Sequence, residues 1–147
     1  MATLTIMVGL PASGKSTIAK TLEEFGSITI VSTDSIRKEL LGADEDQTNP
    51  QLIFDTAYAR IEETLKNGKN CAFDATNLKT KNRKWLCKKF RPYADRIVAC
   101  YLATDVETCI ARDKTRKRTV GEEVIRRMAA TASEPTLDEG FDEICYC

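Results

Sequence analysis

Histidine is absent from all 147 residues. A Ser-His-Asp triad, a His general base and a His metal ligand are therefore excluded, and proton transfer near neutral pH falls to a carboxylate. Long apolar runs are also missing. The longest, residues 97–103, is far shorter than the about 20 residues that cross a bilayer, and no basic residue precedes the apolar start of the chain, as an export signal would require. The six cysteines at 71, 87, 100, 109, 145 and 147 form no CxxC pair, and several sit inside apolar stretches. Buried, reduced thiols in a cytoplasmic protein are the expectation, with no membrane partner.

What the chain has is enough apolar residue for one core. With 42% hydrophobic and 30% charged residues, it falls outside the disordered class. A chain of this length buries roughly 70% of the surface its unfolded form exposes, so one domain over residues 1–147 needs no disulfide or structural metal. Net charge is zero, from 22 Lys plus Arg against 22 Asp plus Glu. The balance conceals an asymmetry: between Lys79 and Arg118 there are 13 basic and 4 acidic residues, a local +9. Such a segment attracts polyanions.

The chain reads as strands alternating with helices. Strands are expected at Thr3 to Val8, Ile28 to Ser32, Asn70 to Phe73, Ile97 to Leu102 and Ile144 to Tyr146. Helices are expected at Lys15 to Phe25, Asp34 to Leu41, from Pro50 to the Asn67-Gly68 stop, Thr80 to Phe90, Asp105 to Arg116 and Glu122 to Thr131. Asn49 before Pro50 supplies a helix cap, and Trp85, Leu86 and Phe90 are expected to face inward. An acidic loop fills residues 42–48. The pattern predicts an α/β fold: a parallel sheet of about five strands, helices on both faces, and ligands beyond the carboxyl ends of the strands.

Residues 9–16, Gly-Leu-Pro-Ala-Ser-Gly-Lys-Ser, satisfy GxxxxGK[ST] between an expected strand and an expected helix. That places a P-loop of the NTPase type on the sheet. Gly9, Ala12, Ser13, Gly14, Lys15, Ser16 and Thr17 are expected to line the donor phosphates, with backbone N–H groups at the helix start adding partial positive charge. Lys15 then neutralises the β and γ phosphates, and the Ser16 hydroxyl ligates Mg²⁺. No Asn-Lys-x-Asp element occurs, which disfavours a guanine-specific switch protein.

Three further groups fall at strand ends or in the basic segment. Asp34 and Arg37, three residues apart, share one helical face, where a carboxylate can take a hydroxyl proton and an arginine can hold a phosphate. They could equally be a helix-start charge and a solvated cation. Asp74, in Asp-Ala-Thr-Asn at 74–77, could orient Arg37 or bind a water of the Mg²⁺ shell, and Thr76 or Asn77 could bond an acceptor or simply form a turn. Arg112 and Arg116, one helical turn apart, suit a basic helical lid over residues 112–121. An arginine closing over a transferring phosphate is worth roughly 10³ to 10⁵ in rate.

The ordered set of motifs resembles the small P-loop kinases related to the kinase domain of phage 5′-hydroxyl polynucleotide kinase. It comprises GlyLeuProAlaSerGlyLysSerThr, SerThrAspSerIleArg, AspAlaThrAsn, ArgAspLysThrArg, ValGlyGluGluValIleArgArgMet and ProThrLeuAspGluGlyPheAspGluIle. The resemblance implies ATP as donor with Mg²⁺, Lys15 and Ser16 on donor phosphates and metal, and Asp34 as general base. It also implies Arg37 on the acceptor phosphate, Asp74 supporting that arginine, and Arg116 on the donor, assisted by Arg112. The implied partner is the 5′ end of RNA or DNA, and the basic run Lys79, Lys81, Arg83, Lys84, Lys88, Lys89 and Arg91 agrees with it. The phage enzyme has a phosphatase domain after its kinase. Since this chain ends at Cys147, 3′-phosphatase activity is not expected of it. Relatives acting on small metabolites or sugar nucleotides give an alternative acceptor, and a non-catalytic nucleotide-binding module gives another class altogether.

Overall fold

Alternation along β1 (Thr3–Val8) sends Leu4, Ile6 and Val8 into one apolar cluster and Met7 into another. This is the signature of a strand covered on both faces. The computed structural model describes residues 2–43, 48–117 and 119–147. Residues 44–47 of the expected acidic loop and Arg118 of the basic connection lie outside the described residues.

After β1 come α1 (Lys15–Phe25), β2 (Ile28–Ser32), α2 (Thr33–Leu41), α3 (Pro50–Lys66), β3 (Asn70–Asp74) and α4 (Thr80–Phe90). Then follow β4 (Arg96–Tyr101), α5 (Val106–Lys114), α6 (Glu122–Thr131) and β5 (Glu143–Tyr146), with short 3₁₀ turns at Arg91–Tyr93 and Leu137–Glu139. The five strands form one sheet in the order β2-β3-β1-β4-β5, and all four pairings are parallel. From β1 the chain moves outward to β2, and from β3 it crosses to the far side of β1. The connections leave the adjacent strands β1 and β4 in opposite directions, and an open parallel sheet leaves its ligand crevice at the carboxyl ends beside such a point.

The larger core gathers Leu4 and Ile6 of β1, Phe73 of β3, Ile53 and Ile61 of α3 and Phe90 of α4. On the other side, Met7, Cys100 and Leu102 meet Ile18 of α1. A third cluster, Leu10, Cys109, Ile110 and Ile125, seats α5 and α6 against the loop after β1. No described helix is long and apolar enough to cross a membrane.

Local chemistry explains where the elements begin and end. Ser32 Oγ accepts from Ser35 N at 3.3 Å and starts α2 one residue earlier than expected. Asn49 Oδ1 accepts from Leu52 N at 3.3 Å ahead of Pro50, as the cap at that position requires. α5 stops at Lys114, so Arg116 lies beyond the helix instead of one turn along it. Thr115 N and Arg116 N bond to the carbonyls three residues back, which tightens the chain out of α geometry. Of the segment expected as a helical lid, residues 112–114 end α5, and the described residues 115–117 and 119–121 are not helical.

Two expectations about α4 are corrected. Trp85 is 45% exposed, whereas Leu86 and Phe90 are buried as expected. Arg83, counted with the basic run, is fully buried: Nε donates to Glu139 Oε1 at 2.6 Å and Nη1 to Asn77 O at 3.0 Å. Its charge is spent inside the protein. Cys71, Cys87, Cys100 and Cys109 are buried free thiols, with burial pushing Cys71 up to about 12 and Cys87 to about 11, but Cys145 is half-buried and Cys147 exposed.

Candidate functional site

The loop after β1 turns on two residues with positive φ, Ala12 at 63° and Gly14 at 107°. Gly9 is required by close approach, since a Cβ there would lie 2.6 Å from Ser13 Oγ and 3.3 Å from Leu102 Cβ. Loop carbonyls are bound from within: Ser13 N and Lys15 Nζ donate to Leu10 O at 3.1 and 2.8 Å, and Thr104 Oγ1 donates to Ser13 O at 2.8 Å. Gly9 N donates to Thr76 O at 3.0 Å and so fixes the loop to the turn after β3. α1 starts from Gly14 with no side-chain cap, which leaves its first N–H groups to an anion.

Lys15 is 9% exposed, and burial lowers its ammonium from 10.5 to about 8, against the opposing pull of Asp74 and Asp34. Asp74, at the end of β3, is 8% exposed. Burial raises its carboxyl above the usual range, while Lys15 and the hydroxyl of Ser16, which donates to Asp74 Oδ2 at 3.0 Å, pull it down. A hydroxyl beside a carboxylate is an oxygen pair of the hard-donor kind that suits Mg²⁺ together with phosphate oxygens. Both residues fit that ion.

Across the crevice, α2 presents Asp34 and Arg37. Arg37 Nη1 donates to Asp34 Oδ1 at 2.9 Å, with the arginine side chain 10% and the aspartate side chain 50% exposed. The Nε of Arg37 is buried without a hydrogen-bond partner, a costly state that a ligand oxygen would relieve. These bonds differ from the expected ones. Asp74 pairs with Ser16, and Arg37 pairs with Asp34.

From the α5 side, Arg112 Nη1 reaches Ser13 O at 3.3 Å. Arg116 Nη2 donates to Asp113 Oδ1 at 2.8 Å. Asp113 is buried and accepts from Val120 N at 2.9 and 3.1 Å and Gly121 N at 2.9 Å. Burial opposes its ionisation, but the two backbone donors and Arg116 outweigh burial and hold the carboxyl below its ordinary value.

A cavity of about 1040 Å³ joins these parts. Lys15, Ser16, Asp34, Arg37 and Asp74 line it, as do Arg112 and Arg116. Ala12, Gly14 and Thr17 border it as well, whereas Gly9 and Ser13 shape the loop from behind. Thr76 reaches the cavity. Asn77 does not: its Nδ2 donates to Met7 O at 2.8 Å and its backbone takes φ 47°, so it is a turn residue. Sequence reasoning passed over Asp113, Phe54 and Arg127. The latter two line the cavity from α3 and α6; Phe54 is an apolar residue at helical spacing, while Asp113 and Arg127 fall inside the motifs quoted above without a role being assigned to them.

Several solved structures share this fold. A chain of the Pnkp1/Rnl/Hen1 RNA repair complex superposes with TM-score 0.79 at 23% identity, over 88% of this chain and 43% of that one. Kti12 of Chaetomium thermophilum in complex with ADP-AlF3 gives 0.75 at 16% identity, over 98% and 88%. A gluconokinase from Sinorhizobium meliloti 1021 gives 0.66 at 15%, over 97% and 79%. This chain thus spans less than half of the repair-complex chain. At these identities the likeness establishes a kinase-like P-loop fold. The family model described as AAA domain (AAA_33) matches residues 4–135, and the chain belongs to that family of P-loop domains.

Proposed function

We propose that this chain transfers the γ-phosphoryl group of ATP to a hydroxyl, with the 5′-OH end of RNA or DNA as acceptor. The observation that carries the reading is convergence. A P-loop lysine and a half-exposed aspartate line one cavity together with an arginine whose buried Nε lacks a partner. The loop amides and Lys15 hold the β and γ phosphates of the donor. Ser16 and Asp74 would hold Mg²⁺, which offsets phosphate charge when bound.

Asp34 accepts the proton of the attacking hydroxyl as the new P–O bond forms, and ADP leaves with the bond broken between the β,γ-bridging oxygen and phosphorus. Arg37, anchored by Asp34, offers Nε to a phosphate next to the acceptor hydroxyl. Arg112 and Arg116 face the donor from the α5 side of the cavity. Donor and acceptor share one cavity of about 1040 Å³, a size suited to both.

Support for a nucleic-acid end comes from the ordered motifs, the +9 segment and the likeness to an RNA repair complex. The likeness to a gluconokinase favours a small polyhydroxylated acceptor as the second reading. Incubation with γ-labelled ATP and Mg²⁺ separates them, using 5′-OH oligonucleotides of RNA and DNA beside gluconate and simple sugars. Label is expected at oligonucleotide 5′ ends. Label on a sugar and on no oligonucleotide would replace the first reading with the second.

A further inference from the structure

The corrected position of Trp85 puts an aromatic side chain where none was expected. Phe54 lines the cavity from α3. One turn along, Tyr58 lies 6.0 Å from it between ring centroids, and Tyr58 in turn lies 4.9 Å from the indole of Trp85 on α4. Tyr58 also packs on buried Phe73 and Phe90 at 6.1 and 6.2 Å, so Phe54 and Tyr58 are half-buried rings linking the cavity to the indole, which is the exposed end of the series. Trp85 at its end is 45% exposed, a large apolar area to leave in water.

The surroundings of that indole are cationic. α4 contains no acidic residue; Lys89 Nζ lies 5.4 Å from the indole centre, and Lys81, Lys84 and Lys88 are exposed on the same helix, the last two beside Arg91 toward Gly140. Among the described residues, no carboxylate forms an ion pair with Lys81, Lys84 or Lys88. Two acids of α3 act on this face: Asp55, which accepts from Gln51 Nε2 at 2.8 Å and keeps its charge beside Tyr58, and Glu62, which pairs with Lys66 at 3.1 Å and also attracts Lys89. Burial of Arg83 beneath this face leaves the remaining lysines on the solvent side.

We propose that the Phe54–Tyr58–Trp85 strip and the α4 lysines form the track for a single-stranded nucleic acid whose 5′ end occupies the cavity. The inference rests on the acceptor class proposed above. Bases stack on aromatic faces whatever their identity, and lysines beside the rings neutralise the phosphates between them. Lys89, on a flexible four-carbon stem, can yield its place over the indole to a base and turn to that nucleotide's phosphate. The charge complementarity selects a polyanion, and the rings select one with flat bases.

Trp85 is the only tryptophan, so its fluorescence reports the contact directly. Titration of the full chain with single-stranded oligonucleotides from one to twelve nucleotides should quench it saturably, more tightly as length passes the first few nucleotides and more weakly in high salt. In transfer assays, Trp85→Ala should raise KM for a twelve-mer about tenfold, with kcat and the KM for a mononucleoside 3′-phosphate unchanged, and Trp85→Phe should recover most of the loss. The double substitution Lys81→Gln with Lys84→Gln should reduce the salt dependence of binding.

If oligonucleotides are phosphorylated but quenching is absent and Trp85→Ala leaves KM the same at every length, the track is overturned and the transfer reading stands. If quenching appears and no oligonucleotide accepts a phosphoryl group, the track stands and the transfer reading falls. Quenching by poly-glutamate and not by oligonucleotides would assign the face to an acidic protein and overturn the inference.

Discussion

The Ser16 hydroxyl donates to Asp74 Oδ2 across 3.0 Å and joins the first turn of α1 to the end of β3. The carboxylate pays for that position, because burial raises its pKa while Lys15 only partly compensates. With the folded value above the unfolded one, the folded protein binds the proton more tightly. Stability therefore falls as pH rises through the window above the unfolded pKa. Asp74→Asn keeps a bond to Ser16 and removes the buried charge. The variant should melt at a higher temperature than the parent at pH 7, yet lose roughly 10- to 100-fold in transfer and require more Mg²⁺. Calorimetry beside a Mg²⁺ titration of activity checks both halves.

Asp34 is accessible enough to meet a substrate hydroxyl, with its side chain 50% exposed while Oδ1 accepts from the Arg37 guanidinium. Asp34→Asn preserves shape and a polar contact for Arg37 but cannot take a proton. Transfer should drop by roughly 10²- to 10⁴-fold. Affinity for ATP, measured by calorimetric titration, should stay within about twofold if the base acts only in the chemical step. Survival of transfer would move the base to another residue.

Asp113 ties the end of α5 to the start of α6 by receiving Val120 N, Gly121 N and Arg116 at once. Charge-assisted hydrogen bonds to a buried carboxylate contribute about 1.5 to 3 kcal/mol each before the burial penalty is set against them. Asp113→Ala should destabilise the protein by about 2 to 3 kcal/mol in urea and raise KM for ATP by releasing Arg116. Its folded pKa is depressed, so this stabilisation is present above the unfolded carboxyl value and disappears as pH falls through the folded one. The gap between parent and variant should thus close in acid.

Those three residues differ in how far the sequence disclosed them. Ser16 belongs to a contiguous motif and Asp34 to a strand end, and the boundaries of α1, β2, α4 and α6 follow their apolar periodicity. Asp113 sits inside the ArgAspLysThrArg motif, but its role was not legible because its donors lie seven and eight residues ahead, across a connection that periodicity does not describe. Arg83 was misplaced for a related reason. A run of cations reads as one solvated face until Glu139, 56 residues away, is brought against one member of it. Trp85 shows the converse: hydrophobicity implied the interior, but the helix rotation that buries Leu86 and Phe90 leaves the indole at the rim.

The Arg83–Glu139 pair has its own consequence. Arg83 also holds Asn77 O at 3.0 Å and Ser133 Oγ at 3.1 Å, so it ties the turn after β3 to the chain leaving α6. Removal of one partner strands a buried charge, and Arg83→Met should destabilise by about 3 to 5 kcal/mol. Addition of Glu139→Gln should recover part of that loss, because the stranded carboxylate is neutralised. A double-mutant cycle in urea reads the coupling. Simple additivity of the two substitutions would show that they act independently.

Lys15 sets binding against stability. Its ammonium is buried, holds Leu10 O at 2.8 Å, and titrates at about 8 in place of 10.5. At pH 7 the folded protein carries a charge it would rather shed. Between about 8 and 10.5 the unfolded chain keeps the proton and the folded chain does not, so stability rises with pH across that window. A shift of this size corresponds to about 3 kcal/mol, less about 1 kcal/mol for the hydrogen bond that a substitution removes. Lys15→Met should therefore be about 2 kcal/mol more stable than the parent at pH 7, with the difference vanishing near pH 10, and should lose ATP binding. A urea series from pH 7 to 10 tests the sign: a gap that widens with pH would mean that the ammonium stabilises the empty loop.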